Sequence, residues 1–109
     1  MSEECVIIET TVGALQDAQT LARALIDMRL AACCHLFSIT SCYRWQGNVE
    51  EGEEVTIRCK TIMKRVEGVI EYLKANHPYK VPEIIVIKVE SRNQEYSSWM
   101  KASVEGVRE

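Results

Sequence analysis

The feature that most constrains the fold is a pair of long extended segments joined by a short turn. Residues 31–45 have no helical periodicity and are rich in Cys, Ile, Thr, Tyr and Trp, which is typical of a strand. A turn at Gly47-Asn48 follows, and then residues alternate between two faces. One face carries Val55, Ile57, Cys59, Thr61 and Met63, and the other carries Glu54, Thr56, Arg58 and Lys60. Strands average about 5 to 6 residues, so each arm of this hairpin is roughly twice the usual length. Helices of the same subunit cannot cover its outer part.

The other segments complete the order of elements. Residues 5–11 are apolar on both faces, as in a central strand, and residues 84–89 form another strand. Residues 14–29 and 64–75 carry apolar stripes at helical period, and Asn93 can cap a last helix. This order predicts an α+β fold, a ferredoxin-like βαββαβ sandwich with an extended β-hairpin and a C-terminal helix.

Composition bounds the size and the partners of the molecule. At 109 residues, 47% of them hydrophobic, the chain predicts one domain spanning residues 1–109. A net charge of -3 disfavours nucleic acid and anionic lipid surfaces, so we expect neither nucleic-acid nor membrane partners. The acidic N-terminus does not resemble a signal peptide, and five cysteines without a CxxC motif suit a reducing compartment. We therefore expect a cytoplasmic protein.

Several blocks, in order along nearly the whole chain, resemble the CutA family of divalent-cation tolerance proteins. They are Arg29 to Cys33, Ser41 to Gly47, Glu54, Lys60-Thr61, His77-Pro78-Tyr79, Val81-Pro82-Glu83, Tyr96 and Trp99. The resemblance implies a ferredoxin-like subunit assembled as a homotrimer, with the long hairpins making contacts between subunits. The long hairpin by itself also predicts a homo-oligomer, because exposed strand edges must be paired or blocked.

The resemblance also implies a cation role. Bacterial members are associated with tolerance of divalent cations, copper in particular. Where copper is held, the implied ligands are a cysteine near the end of the first strand, a histidine of a His-His-Pro motif and the glutamate of Pro-Glu. The cysteine position falls on Thr10 or a neighbour, and the first histidine is Asn76. The candidate metal residues are therefore His77, Glu83 and Thr10, which form a weak site because copper and zinc normally take three or four donors.

Each of these candidates also has an ordinary structural interpretation. His77 can cap the preceding helix or interact with its dipole, and we weigh this evenly with metal ligation. An ion pair of Glu83 with Lys80, Lys60 or Arg58 across a subunit boundary is the favoured interpretation of that carboxylate.

The cysteines offer a second possible soft-metal site. Cys33 and Cys34 are neighbours on a strand, so they point to opposite faces and cannot share an ion. Cys33 and His35 lie on one face, where a donor from the next strand could complete a Cu(I) site. Core packing is the favoured interpretation of the thiols.

An aromatic cleft is the other candidate site. Tyr43, Trp45 and Tyr79 could line it together with Lys60, since small-ligand pockets combine aromatic walls with a few charges. Packing within the trimer explains the same aromatics equally well for Tyr43 and Trp45.

Two functional hypotheses follow. The first is a non-enzymatic homotrimer in metal homeostasis that binds copper or another divalent cation weakly and needs no organic cofactor. The second is a ligand-responsive scaffold resembling the trimeric PII signalling proteins. No catalytic motif of the common classes occurs in the sequence, so an enzyme ranks third.

Overall fold

The computed structural model describes residues 4–105. Within this range, four strands and three α-helices follow one another in the predicted order, and the α+β fold is confirmed. They are β1 (Cys5–Val12), α1 (Leu15–Asp27), β2 (Cys33–Trp45), β3 (Asn48–Ile62), α2 (Val66–Asn76), β4 (Ile85–Lys88) and α3 (Gln94–Val104), with a 3₁₀ turn at Met63–Arg65. The strands form one antiparallel sheet in the order β2-β3-β1-β4. None of the described helices is long and apolar enough to cross a membrane.

The hairpin of β2 and β3 has the predicted length, with arms of 13 and 15 residues. Its turn differs from the prediction by one residue. The turn residues are Gln46 and Gly47, both with positive φ (49° and 85°), and Asn48 already pairs with Trp45. A two-residue hairpin turn with positive φ at both positions favours glycine at the second, so Gly47 ends the turn instead of beginning it.

One face of the sheet carries α1 and α2 and holds the main core. Alternate residues of β1 and β3, including Ile8, Ile57 and Cys59, are fully buried there. Leu25 of α1 and Leu73 of α2 pack onto them and are also fully buried. The hydrophobic periodicity of the helices and the alternation of the strands therefore meet in one apolar layer.

Helix α1 ends two residues earlier than its periodicity predicts. Arg29 takes the left-handed conformation (φ 57°), and its N–H donates to the Ile26 carbonyl while the Leu30 N–H donates to the Leu25 carbonyl. These two bonds form a Schellman motif, which usually carries glycine at this position. The Arg29 guanidinium also donates to the Ser103 carbonyl at 2.9 Å, which ties the end of α1 to α3.

The opposite face of the sheet, called here the open face, is only partly covered. Helix α3 begins at Asn93, whose Oδ1 accepts from two backbone N–H groups as predicted for a cap. Its Met100 packs on Cys5 and Ile62 at one end of the sheet. Elsewhere this face exposes Ile7 in part and Phe37, Ile85 and Ile87 at 38 to 48% of their surface.

Candidate functional site

The candidate metal residues gather where the end of β1 meets the chain leaving α2. His77 is the C-cap of α2, its N–H donating to the Leu73 carbonyl at 2.8 Å, and its backbone is extended. The following residue, Pro78, disfavours helical conformation at His77 and so directs the chain away from the helix. This geometry brings the His77 ring to Thr10, 67 residues away in sequence.

Both nitrogens of the His77 ring are occupied. The Tyr79 N–H donates to Nδ1 at 3.0 Å, so Nδ1 carries no proton and Nε2–H donates to the Thr10 Oγ1 at 2.9 Å. Burial lowers the pKa of His77, and a backbone hydrogen bond at Thr11 partly opposes this. The ring is therefore held neutral, in one tautomer, between two parts of the fold.

A lowered histidine pKa makes stability depend on pH. The folded state binds fewer protons than the unfolded state, so His77 contributes stability above its ordinary pKa of 6.5 that is lost as the pH falls below that value. We expect His77→Gln to reduce the drop in melting temperature between pH 7.5 and pH 5, measured by calorimetry. The matched control is His35→Gln, the other histidine of the chain, which lies exposed on β2. An unchanged pH dependence in His77→Gln would contradict this assignment.

Glu83 lies near this histidine in sequence but within a different group of side chains. Partial burial of this largely exposed carboxylate, followed by the negative charges of Glu9 and Glu54, raises its pKa. Glu9 is paired with Arg58 at 2.6 Å, whereas Glu83 makes no hydrogen bond or ion pair within residues 4–105. Arg58, one of the partners considered for Glu83, is thus engaged by another carboxylate of the same chain.

The donors implied by the family resemblance do not fit a resident copper or zinc ion. Thr10 offers a fully buried hydroxyl that already bonds to His77, and neither nitrogen of that imidazole is available while these bonds persist. Glu83 supplies a single exposed carboxylate. Among residues 4–105, no group of three or more His, Cys, Asp or Glu side chains is arranged to hold a metal ion.

A cleft of about 540 Å³ opens beside Glu83 on the hairpin. Its lining includes Tyr43, Trp45, Glu54, Tyr79, Lys80 and Glu83. The Tyr79 hydroxyl donates to Glu54 Oε2 at 2.8 Å, which fixes both side chains. Burial and this bond to a carboxylate raise the pKa of Tyr79 to about 12, so the phenol is neutral and remains a donor at ordinary pH.

Lys60 does not line this cleft, although it was grouped with these aromatics from the sequence. It shares a face of β3 with Glu54 but lies six residues further along, about 20 Å away at 3.3 Å per residue. Its Nζ instead lies 6.0 Å from the centroid of the Tyr96 ring on α3. Lys80, which follows Tyr79 in the connection to β4, is the lysine in the cleft lining.

Sequence reasoning did not assign Glu54 and Lys80 to the cleft. Glu54 was visible in the matched blocks and in the alternation of β3, but its contact with Tyr79 joins residues 25 positions apart. Lys80 was visible only as a possible ion-pair partner. The strand register and the path of residues 77–84 decide both positions.

Cys33 and His35 share a face as predicted, with Sγ and Nε2 3.5 Å apart. The residues opposite them on β3 are Lys60 and Arg58, respectively. Two cations occupy the positions from which a third metal donor would have to come. This pair therefore lacks the cross-strand ligand that a Cu(I) site needs.

The family model described as CutA1 divalent ion tolerance protein matches residues 6–103. The divalent-cation tolerance protein CutA of Thermus thermophilus is 42% identical over 100 residues, which cover 91% of this chain and 95% of that protein. Protein CutA of Mus musculus is 41% identical over 83% of this chain, but the match spans only 51% of the mouse protein.

Solved structures show the same architecture. The divalent ion tolerance protein CutA1 of Ehrlichia chaffeensis superposes with a TM-score of 0.90 at 28% identity, covering 95% of this chain and 98% of the other. CutA1 of Oryza sativa gives 0.90 at 32% identity over 99% and 97% of the two chains. A protein of Archaeoglobus fulgidus described as the periplasmic divalent cation tolerance protein CutA gives 0.89 at 31% identity over 92% and 98%.

Proposed function

Because the chain belongs to the CutA1 divalent ion tolerance protein family, we propose that it acts in tolerance of divalent cations, copper in particular, as a cytoplasmic, non-enzymatic homotrimer that binds the cation weakly. The family is named for tolerance and not for a reaction.

The observation that supports cation binding is the position of the Glu83 carboxylate. Glu83 and Glu54 line the same cleft, and partial burial together with the charges of Glu9 and Glu54 opposes ionisation of Glu83. A divalent cation beside this carboxylate would therefore relieve repulsion that the free protein bears. Carboxylate oxygens suit a range of divalent ions, and His77 becomes a nitrogen donor only if it gives up a bond to Thr10 or Tyr79. Few donors and a competing hydrogen bond both favour weak binding.

Titration calorimetry of the reduced protein tests this role. We expect weak, saturable binding of Cu(II) and Zn(II) to the wild type. The affinity of Glu83→Gln should be about tenfold lower, because even changes outside the ligand shell lower metal affinity by about 10- to 100-fold. His77→Ala reports whether the imidazole takes part, and Cu(I) is titrated in parallel. Glu67→Gln, an exposed carboxylate on the first turn of α2, is the matched control and should bind as the wild type does. Absence of saturable binding in the wild type would end the proposal.

The homotrimer is supported by surfaces that one chain leaves uncovered. Among the described residues 4–105, the outer edge of β2 has no neighbouring strand along its 13 residues, and the outer half of the hairpin is exposed. A long unpaired edge beside a partly apolar open face is a surface that a further copy of the chain can cover.

The cleft supports a second candidate, a scaffold that responds to a small ligand in the manner of the PII proteins. Its volume lies in the usual range for ligand pockets, and it combines aromatic walls with Lys80. If this function holds, phosphate, citrate or a nucleoside triphosphate should raise the melting temperature of the wild type but not of Lys80→Met. Lys60→Met, remote from the cleft, is the control. A response to metals alone would count against this candidate.

A further inference from the structure

Two cysteines lie directly opposite each other on neighbouring strands. Cys34 of β2 pairs with Cys59 of β3, and both side chains point to the face that carries α1 and α2. Cys33 points to the opposite face, as the alternation of β2 requires. Cys34 and Cys59 therefore form an isolated pair that takes no part in the cleft or in the His77 contacts.

The strand register brings the two thiols within bonding reach. Paired residues of antiparallel strands have Cα atoms about 4.5 to 5.5 Å apart, which lies within the 4.4 to 6.8 Å that disulfides span. The register is unbroken from the two-residue turn to the base of the hairpin. Counting back from Trp45 and Asn48, which close the turn, Cys34 and Cys59 form a pair of the non-hydrogen-bonded type, in which the side chains are closer.

The two thiols already interact, and only one of them is open to solvent. The neighbouring Cys59 lowers the pKa of Cys34, although burial of Cys34 partly opposes this, whereas Cys34 and burial together raise the pKa of Cys59 well above its ordinary value. Cys59 is fully buried, whereas Cys34 is partly exposed and lines a groove of about 830 Å³ between α1 and β2. A reagent can therefore reach Cys34 first, with Cys59 behind it.

We propose that Cys34 and Cys59 form a reversible intramolecular disulfide by exchange with a low-molecular-weight disulfide. The Cys34 thiolate attacks one sulfur of the reagent, forms a mixed disulfide and releases one small thiol. The Cys59 thiol, on losing its proton, then attacks the Cys34 sulfur and releases the second small thiol. Two electrons pass from the protein to the reagent, and the two protons of the protein thiols end on the two released thiols.

A disulfide suits this place better than a metal ion does. If Cys34 and Cys59 bound Cu(I) as two thiolates, the site would carry a net negative charge. That charge would lie in the apolar core, next to Ile57 and Ala31, where burying it is costly. A disulfide is neutral and leaves no such charge. It would also close the base of the long hairpin, because residues 34–59 contain the turn, nearly all of β2 and most of β3.

The experiment treats the reduced full-length chain with oxidised glutathione and follows intact mass. We expect non-reducing peptide maps of the wild type to show Cys34 joined to Cys59, a link that removes two hydrogen atoms from this pair and that dithiothreitol reverses, while glutathione added at the exposed Cys42 is seen separately as a gain in mass. The oxidised protein should melt at a higher temperature than the reduced protein, because the link restricts the unfolded chain.

Variants separate the two steps. Cys59→Ser should stop at the mixed disulfide and gain the mass of one glutathione at Cys34, whereas Cys34→Ser should form no internal link. Cys33→Ser and Cys42→Ser are controls that should still oxidise as the wild type does, and Cys33→Ser also removes ambiguity between adjacent residues in the maps. A wild type that stays reduced, or a link that uses Cys33 or Cys42 or joins two chains, would overturn the proposal even if Cys59→Ser failed to fold.

Discussion

Replacing Ile87 by aspartate is expected to convert the assembled protein into single chains. The wild type should scatter light as a particle of three times the 12.4 kDa of one chain and should keep that mass on dilution, whereas Ile87→Asp should scatter at 12.4 kDa. This prediction rests on the proposed homotrimer.

The reason lies on the open face of the sheet. Ile87 is 41% exposed, sits opposite Ile7 and shares its face with Ile85 and Phe37. In a symmetric trimer an aspartate at this position would be buried three times, and an uncompensated buried charge costs about 3 to 5 kcal/mol. The isolated chain loses little, because a side chain this exposed contributes little to its own core.

The matched control places the same charge on the other side of the molecule. Leu15 of α1 is 53% exposed on the helix layer, so Leu15→Asp should leave the particle mass unchanged. A wild type that scatters as one chain would refute the trimer. A trimeric Ile87→Asp would show that the open face lies outside the interface.

Replacing Thr10 by cysteine should raise the affinity for Cu(I) by roughly 100-fold or more, since even outer-shell changes at metal sites alter affinity by about 10- to 100-fold. The new sulfur would stand where Oγ1 now lies, 2.9 Å from His77 Nε2. A thiolate beside an imidazole offers Cu(I) two of its preferred donors, whereas a hydroxyl offers none.

Competition against a coloured Cu(I) chelator, under reducing conditions, measures this gain. Thr10→Ser is the control, because it also removes the methyl group but keeps a hydroxyl. Adding His77→Ala to Thr10→Cys should abolish most of the gain, whereas the five native cysteines contribute equally to every variant. An affinity within threefold of the wild type would show that the His77 ring cannot leave its present hydrogen bonds for a metal.

Local patterns in the sequence were sufficient to predict the elements of the fold. The alternation from Glu54 to Thr61 predicted β3, the apolar stripe from Leu15 predicted α1, and Asn93 predicted the start of α3. These predictions succeeded because periodicity and capping act between residues a few positions apart. The turn differs from its prediction by one residue, because the Gly47-Asn48 pattern places Gly47 first whereas in the structure it is the second turn residue, after Gln46.

The candidate site was predictable only in part. His77 and Thr10 were selected together through the family resemblance, and the tertiary structure supplied the hydrogen bond that occupies both residues. Lys60 was grouped with the aromatics of the cleft because it shares a face with Glu54. In the structure it lies further along the strand, beside Tyr96, and Lys80 is the lysine among the lining residues of the cleft.

The long hairpin was determined by the sequence alone, because residue type and alternation predict each of its two arms over more than ten residues. Only the tertiary structure decided which residues lie opposite each other and which face of the sheet stays uncovered. The pairing of Cys34 with Cys59 follows from register, the bond from Tyr79 to Glu54 follows from the path of the chain after α2, and the open face follows from which layer the helices cover. Each of these features depends on residues that are distant in sequence. Its position is therefore set by how the whole core packs and not by any local preference.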